Sequence, residues 1–186
     1  GRTAVAISAG GVYTCAILDN GDMKCWGNDA KGQLGNGGTI TGRQQSPVAV
    51  SGSDTWDSST GASSGSGSGS SSSSSFAYAN NKVSAGGKHT CAILGNGTLM
   101  CWGGDEAGQV GNGGANTGMH STPVSVDLGT GRTALAVSAG YDHTCAILDN
   151  GNLSCWGSDS YGALGVGGTV YGYEVSPTPV DLGTGR

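Results

Sequence analysis

Charged residues and long apolar runs are scarce in this sequence. Only 11% of the 186 residues are Asp, Glu, Lys or Arg, and no apolar stretch approaches the roughly 20 residues that cross a bilayer. The eight Lys and Arg residues are scattered and the net charge is −5, whereas nucleic-acid binding needs clustered basic residues that neutralise phosphates. These shortages argue against a membrane span and against a nucleic-acid partner.

Neither an initiating Met nor a signal peptide is present, so we expect a mature or excised segment. Residues 1–4 repeat the sequence of residues 131–134, and residues 180–186 repeat residues 126–132. Because both ends fall at matching points of one repeat, we expect the segment to be cut from, or to tile into, a longer array.

Helical periodicity is also missing. The 38 glycines separate short runs of Val, Ile, Leu and Ala, and there is a single Phe. Short β-rich runs bounded by turn residues are typical of strands in an all-β chain. We therefore predict an all-β fold.

Six cysteines are present, in three pairs whose members lie ten residues apart within the phrase T-C-A-I-L-x-N-G-x-x-x-C-W-G. The pairs are Cys15/Cys25, Cys91/Cys101 and Cys145/Cys155. In the first copy, Asp19-Asn20-Gly21 has the composition of a three-residue hairpin loop. Counting outwards pairs Ile17 with Met23 and Cys15 with Cys25 at a non-hydrogen-bonded position, where opposite Cα atoms lie roughly 4.5 Å apart. This spacing predicts one cross-strand disulfide in each repeat.

Zinc ligation and a reduced intracellular pair are the alternatives for these cysteines. Zinc ligands usually lie two to four residues apart, and no C-x-x-C motif is present. We therefore predict disulfides, no metal and no cofactor. Since disulfides persist in oxidising surroundings, we expect an extracellular or cell-surface location.

Three units align along the chain. We assign residues 1–52 to repeat 1, 53–75 to a Ser/Gly-rich insertion or linker, 76–130 to repeat 2 and 131–186 to repeat 3. The insertion is almost pure Ser and Gly, so it is expected to be a flexible loop. Trp56 lies at its edge and matches no repeat position in the alignment.

Two elements recur in order in every unit. The first is a Gly-rich turn followed by [HY]-T-C-A-I-L, at residues 11–18, 87–94 and 140–148. The second is W-G-x-D-x-x-G-[QA]-[LV]-G, at residues 26–35, 102–111 and 156–165. Together they make the chain resemble the regulator of chromosome condensation repeat family over nearly all of its length outside the insertion.

The resemblance implies propeller-type blades, each a four-stranded antiparallel sheet. Members usually have seven blades, whereas three repeats are present here, so we expect either a propeller segment or an open superhelical or fibrous array. Two further departures are the cysteine pairs, which are typical of secreted members, and three Asp residues where Asn is common. These are Asp29, Asp105 and Asp159.

Few residues are candidates for chemistry. His89 and His143 share a repeat position with Tyr13, which predicts a structural hydrogen bond rather than catalysis. The Trp after each second Cys is expected to pack between blades, with sugar stacking as the alternative. Two sequons at hairpin tips make Asn96 and Asn152 candidate N-glycosylation sites.

Two functions fit these features. The first is an extracellular structural glycoprotein, the building block of a fibril or surface assembly through head-to-tail contacts with copies of itself or further repeats. The alternative is a protein- or carbohydrate-binding module that forms part of a closed β-propeller. No paired carboxylates or nucleophile–base arrangement is evident, so we do not expect an enzyme.

Overall fold

A computed structural model of the chain describes residues 1–38, 42–52, 55–56, 82–114, 118–167 and 172–183. Within these ranges, twelve β-strands form three four-stranded antiparallel sheets. No helix in the described ranges is long and apolar enough to cross a membrane. The predicted all-β architecture of four-stranded sheets is confirmed.

Each sheet is formed by four strands in chain order, and we call the sheets blades 1, 2 and 3. Blade 1 contains β1 (Ala4–Ala9), β2 (Tyr13–Leu18), β3 (Met23–Asn28) and β4 (Arg43–Ala49). Blade 2 contains β5 (Val83–Ala85), β6 (His89–Ile93), β7 (Leu99–Gly104) and β8 (Met119–Ser125). Blade 3 contains β9 (Ala134–Ala139), β10 (His143–Leu148), β11 (Leu153–Ser158) and β12 (Tyr173–Pro179), with one 3-10 turn at Ser160–Gly162.

The central hairpin of each blade has the predicted register. In blade 1, Cys15 lies opposite Cys25 and Ile17 opposite Met23, and Gly21 closes the loop with a positive φ of 81°. A disulfide joins each predicted cysteine pair, with Cα atoms 4.1 Å apart in all three. The short Cα separation is that of opposite residues at a non-hydrogen-bonded position.

Removing the disulfide of blade 2 should lower the free energy of unfolding. In the Cys91→Ala/Cys101→Ala variant we expect a loss of about 2–3 kcal/mol, because the bond closes a loop of about ten residues in the unfolded chain. Urea denaturation of the oxidised wild type and the variant measures the loss. The same change at Cys145 and Cys155 is the matched control, since its entropic part is equal. An unchanged urea midpoint in both variants would contradict a stabilising role.

Trp56 pairs with blade 2, although the sequence alignment left it outside the repeats. It forms an isolated bridge with Leu94, as Ala4 pairs with Leu18 in blade 1 and Ala134 with Leu148 in blade 3. Trp56 therefore has the pairing position of the first residue of the first strand in the other two blades, whereas β5 itself begins at Val83. Most of the predicted insertion, 53–75, lies outside the described residues.

The last strand of blade 3 also corrects the sequence alignment, in which the Pro-Val dipeptides place Pro179 with Pro47 and Pro123. Thr178 lies opposite Cys155, as Val48 lies opposite Cys25 and Val124 opposite Cys101. Pro177, rather than Pro179, therefore matches Pro47 and Pro123 of the other blades. The repeated Pro-Val dipeptide misled the alignment because it recurs two residues late in the third unit.

The hydrophobic core lies between the blades rather than within each one. One cluster joins residues of blades 1 and 2, among them Ile17, Leu34 and Trp102. A second cluster joins blades 2 and 3, among them Val110 and Trp156. Each blade thus buries its faces only against its neighbours, as in other repeat proteins.

Candidate functional site: the blade interfaces and the long-loop face

The tryptophans that follow the second Cys connect neighbouring blades. Trp102 of blade 2 donates its indole Nε1–H to the backbone carbonyl of Gln33 in blade 1, at 3.0 Å. The Thr90 hydroxyl donates to the same carbonyl at 2.8 Å. Trp102 is fully buried, which confirms inter-blade packing and leaves no face for a sugar.

Blades 2 and 3 repeat this arrangement. Trp156 Nε1 and Thr144 Oγ1 donate to the Gln109 carbonyl at 3.1 Å and 2.9 Å. Trp156 is also fully buried. A loop carbonyl of one blade therefore accepts two hydrogen bonds from the next blade at both interfaces that the structure describes.

Buried aspartates hold these loops in shape. Asp29 Oδ1 accepts from the Leu34 amide at 3.1 Å, and Asp105 Oδ1 accepts from the Val110 amide at 3.0 Å. Asp159 does the same for Leu164 at 3.0 Å. Burial raises the pKa of the Asp29 and Asp105 carboxyls, with the amide hydrogen bonds opposing the rise. The Asp residues that depart from the family pattern are thus loop-shaping acceptors.

Two loop glycines lie directly against the tryptophans of the next blade. Gly35 has φ 64°, and a Cβ on it would meet Trp102 Nε1 at 2.5 Å. Gly111 has φ 75°, and a Cβ there would overlap Trp156 Nε1. Only glycine combines a positive φ with so close an approach.

The position shared by Tyr13 and His89 also reaches the next blade. The Tyr13 hydroxyl donates to the His89 carbonyl and lies 2.9 Å from Thr90 Oγ1. His89 Nε2 lies 2.8 Å from Thr144 Oγ1. Burial raises the pKa of Tyr13 well above its ordinary value. Burial, with a smaller contribution from His143, lowers the pKa of His89 to about 3, so this imidazole is neutral at pH 7 and structural.

Backbone groups complete both interfaces. The Ala85 amide donates to Ser8 Oγ at 3.0 Å, and the Ala139 amide donates to Ser84 Oγ at 2.8 Å. Two amides just after these loops also donate to carbonyls of the next blade, each at 3.0 Å. The Gly37 amide donates to the Ser121 carbonyl, and the Gly113 amide donates to the Val175 carbonyl.

One face of the three blades carries most of the large apolar side chains that are exposed in the described residues. This long-loop face comprises the turns between the first two strands and the loops between the last two strands of each blade. Five of the seven large apolar side chains exposed in the described residues lie on it, between 37% and 93% exposed. They are Val12, Met119, Tyr141, Tyr161 and Tyr173.

A cleft of about 390 Å³ on this face lies between Tyr141 and Tyr161. Tyr161 is the one non-glycine residue with positive φ, 65°, among the described residues. The Tyr141 ring lies 5.9 Å from the Lys88 ammonium. Lys31 and Glu106 form an ion pair at 2.5 Å between neighbouring loops.

The opposite face carries the predicted glycosylation sites. Asn96 and Asn152 are exposed at the tips of the central hairpins of blades 2 and 3. Asn96 Oδ1 accepts from the Thr98 amide at 3.0 Å. Glycosylation at both positions remains a prediction.

His120 lies beside a buried carboxylate. Its Nε2 is 3.5 Å from Asp105 Oδ2 and 3.0 Å from Asn112 Nδ2. Within the ranges that the structure describes, no three His, Cys, Asp or Glu side chains form a group that could hold a metal ion. His120 is therefore a partner of a loop-shaping aspartate.

Comparison with known proteins agrees with this interlocked, repeated geometry. The regulator of chromosome condensation (RCC1) repeat model matches residues 4–33, 81–109 and 135–163, and a second model of that repeat matches residues 96–147. The chain belongs to the RCC1 repeat family.

Two plant proteins show the similarity in sequence. The ultraviolet-B receptor UVR8 of Arabidopsis thaliana is 29% identical over 88% of this chain and 43% of its own length. The mitochondrial RCC1 domain-containing protein RUG3 of the same plant is 32% identical over 93% of this chain and 34% of its own length. The chain thus spans less than half of the length of each of these two relatives.

Solved RCC1-type propellers show the similarity in structure. Yeast RCC1 (Prp20), solved bound to Kap60, matches 96% of this chain and 37% of its own, with a TM-score of 0.74 and 17% identity. Human WBSCR16 gives a TM-score of 0.74 at 18% identity over 96% of this chain and 38% of its own. The three blades are therefore arranged as consecutive blades of a propeller, and those described here do not close a ring.

Proposed function

We propose that this chain is part of a binding propeller that recognises a protein partner through its long-loop face. The observation that carries this proposal is the concentration of exposed tyrosines around one cleft, formed by Tyr141 and Tyr161. Tyrosine supplies a large, rigid contact area together with a hydroxyl, and it is enriched at protein interfaces. Exposed apolar patches of this kind mark interaction sites.

The backbone at Tyr161 supports the same reading. Its positive φ is unfavourable for a side chain with a Cβ, and conformations of this kind cluster at functional sites. The equivalent positions in blades 1 and 2 are Lys31 and Ala107, so the repeat itself does not require Tyr there. Blade 3 therefore carries an aromatic ring that the three described blades leave exposed.

The candidate glycan positions fit this orientation of the molecule. Asn96 and Asn152 project from the face opposite the long loops. Sugars at these positions would cover the face that carries the tips of the central hairpins and leave the long-loop face accessible. The proposed extracellular location rests on the three disulfides.

Solved relatives provide a precedent for protein binding, although their identity to this chain is too low to transfer a partner. One structure shows yeast RCC1 bound to Kap60. Another concerns the binding of Prp20p to Gsp1p and histones. Kap60, Gsp1p and histones are partners of the yeast protein. The partner of this chain has to be identified by binding measurements.

The fibre-building role predicted first from the sequence receives no support from the comparisons, and the binding-module alternative fits the propeller fold better. Within that alternative, the exposed tyrosines also suit carbohydrate stacking, so sugar binding is an outcome of the test below. We continue to expect no enzymatic activity.

The test is a binding measurement with a double variant designed from the chain itself. Tyr141→Gly restores the residue of the equivalent positions Gly11 and Gly87, and Tyr161→Asn removes the ring with a residue that tolerates positive φ. Against proteins captured from the extracellular fluid of the source organism, and against a glycan array, we expect at least a tenfold loss of affinity, since interface tyrosines each contribute roughly 1–2 kcal/mol.

The matched control is Leu182→Ala, which removes an equally exposed apolar side chain away from this face. Thermal unfolding of all variants establishes that they fold. Equal capture by wild type and double variant would contradict the proposal. A tyrosine-dependent glycan signal without a protein signal would replace the protein partner by a carbohydrate.

A further inference from the structure

One oxygen of the buried Asp105 carboxylate lacks a hydrogen-bond donor. Oδ1 accepts from the Val110 amide at 3.0 Å, whereas no described group donates to Oδ2. His120 Nε2 lies 3.5 Å from Oδ2. A buried carboxylate oxygen without a donor is unfavourable, because nothing replaces its lost hydration. Blade 2 has a described neighbour on each side, so this cluster does not depend on what lies beyond blades 1 and 3.

Asn112 binds the nitrogen that could donate to Asp105. Asn112 Oδ1 accepts from the Gly114 amide at 3.0 Å, which fixes the orientation of the carboxamide. Its Nδ2 therefore points to His120 Nε2, 3.0 Å away. Because an amide nitrogen only donates, Nε2 accepts in this contact and carries no proton for Asp105. The structure thus shows the arrangement of a neutral imidazole.

Blade 1 shows the same loop without a histidine. Gln44 occupies the position of His120 in the strand register. In this blade burial raises the pKa of Asp29, and hydrogen bonds from the Leu34 amide and the Asn36 side chain oppose the rise. The asparagine of blade 1 thus bonds to its aspartate, whereas the asparagine of blade 2 bonds to the histidine. Blade 2 therefore has two alternative hydrogen-bond arrangements where blade 1 has one.

The charges around His120 favour a proton on the imidazole. Within the described ranges, Asp105 is the one charged residue in ion-pair contact with it. Burial raises the pKa of Asp105, the Val110 amide and His120 lower it, and Glu106 adds a further rise. Lys31 of blade 1 already pairs with Glu106 at 2.5 Å. The charged residues that the described elements packed against His120 carry are Asp29, Lys31, Asp105 and Glu106.

We propose that His120 is a proton-controlled switch in the loop between the last two strands of blade 2. In the neutral state Nε2 accepts from Asn112, as in the structure. In the protonated state the Nε2–H donates to Asp105 Oδ2, and Asn112 Nδ2 loses its acceptor. Histidine is the side chain that ordinarily takes up a proton near pH 6.5.

The protonated arrangement should hold the loop more firmly. A charge-assisted hydrogen bond is roughly twice as strong as a neutral one, and it supplies the donor that Asp105 Oδ2 lacks. Asp105 shapes the loop whose Gln109 carbonyl accepts from Trp156 and Thr144 of blade 3. Acid would therefore strengthen this contact between blades and release the Asn112 side chain on the long-loop face. The inference does not depend on the ligand of that face.

An NMR titration of the oxidised chain from pH 7.5 to pH 5 tests the switch. The imidazole ¹⁵N shifts of His120 report its protonation, the side-chain amide of Asn112 reports the loss of its acceptor, and the Val110 amide reports the change at Asp105. We expect all three groups to move with one common midpoint. The carboxyl ¹³C shift of Asp105 should show that this group stays ionised over the whole range.

Two variants take their new residues from equivalent positions in other blades. His120→Gln copies Gln44, and Asn112→Val copies Val166. His120→Gln should abolish the pH step at both amide reporters, whereas Asn112→Val should keep the step at Val110. At pH 5 the Val110 amide should exchange with solvent at least about fivefold faster in His120→Gln than in wild type, and at pH 7.5 the two rates should be nearly equal.

Three results would overturn the inference. The first is a wild type in which His120 titrates while Asn112 and Val110 do not respond. The second is a pH step that persists in His120→Gln, which would assign it to another group. The third is proton uptake by the Asp105 carboxyl in place of the imidazole. The wild-type titration alone decides the first and the third, so the test does not depend on the folding of either variant.

Discussion

Replacing Gly111 by Ala should lower the free energy of unfolding by about 2–5 kcal/mol. Positive φ costs an L-residue roughly 1–2 kcal/mol, and inserting a methyl group into a packed interface costs roughly 1–3 kcal/mol more. Both costs apply, because Gly111 has φ 75° and its Cβ would overlap Trp156 Nε1. Urea denaturation, followed by tryptophan fluorescence, measures the loss.

Gly165→Ala is the matched control for this change. Gly165 has the equivalent position in blade 3 and a similar φ of 67°, but among the described residues a Cβ on it would meet only Val180 Cγ1, at 3.5 Å. We expect Gly165→Ala to lose only the backbone part, roughly 1–2 kcal/mol. Equal losses for the two variants would mean that the contact with the indole contributes nothing to the free energy of unfolding. That result would contradict the packing of Gly111 against Trp156.

Acid should destabilise the protein through His89. Burial lowers the pKa of His89 to about 3 in the folded chain, whereas the unfolded chain has a histidine pKa of about 6.5. The contribution to stability is therefore complete above about pH 6.5 and is lost as the pH falls towards 3, because the unfolded state binds the proton first. The expected slope between about pH 6 and pH 4 is about 1.4 kcal/mol per pH unit.

His89→Tyr isolates this contribution from that of the carboxylates. Tyr occupies the same position in blade 1 as Tyr13, so the fold accommodates it there. Tyrosine does not ionise between pH 4 and pH 7, and the difference in unfolding free energy between wild type and variant should shift by several kcal/mol across that range. A difference that stays constant with pH would show that His89 is not buried neutral.

The hairpins were predictable from the sequence because their register is local. The Asn-Gly turn fixes which residues lie opposite each other, and three copies of one pattern place Cys15 against Cys25 without knowledge of the fold. The aligned tryptophans likewise indicated packing, since a functional platform rarely repeats at every unit. Family motifs supplied the blade architecture.

Other features depend on contacts that the sequence pattern does not contain. Gln33 and Gln109 act through backbone carbonyls, so their side chains give no sign of the interface, and Ala163 stands in the same position. The Ser/Gly-rich stretch separates Trp56 from Val83 in the sequence, so the pairing of Trp56 with Leu94 could not be predicted from the repeat pattern. The exposure of Tyr161 follows from a loop conformation rather than from periodicity.

The arrangement of the core explains how the described blades stabilise one another. Each described blade is stabilised mainly through its neighbours, because both hydrophobic clusters span two blades.

Hydrogen exchange of the four tryptophan indole N–H groups tests the hydrogen bonds between blades most directly. NMR measures the exchange, and single Trp→Phe variants assign the signals. We expect Trp102 and Trp156 to exchange slowly, since both donate to buried loop carbonyls, and Trp26, which is only half-buried, to exchange more rapidly. Rapid exchange at both Trp102 and Trp156 would contradict these hydrogen bonds between blades.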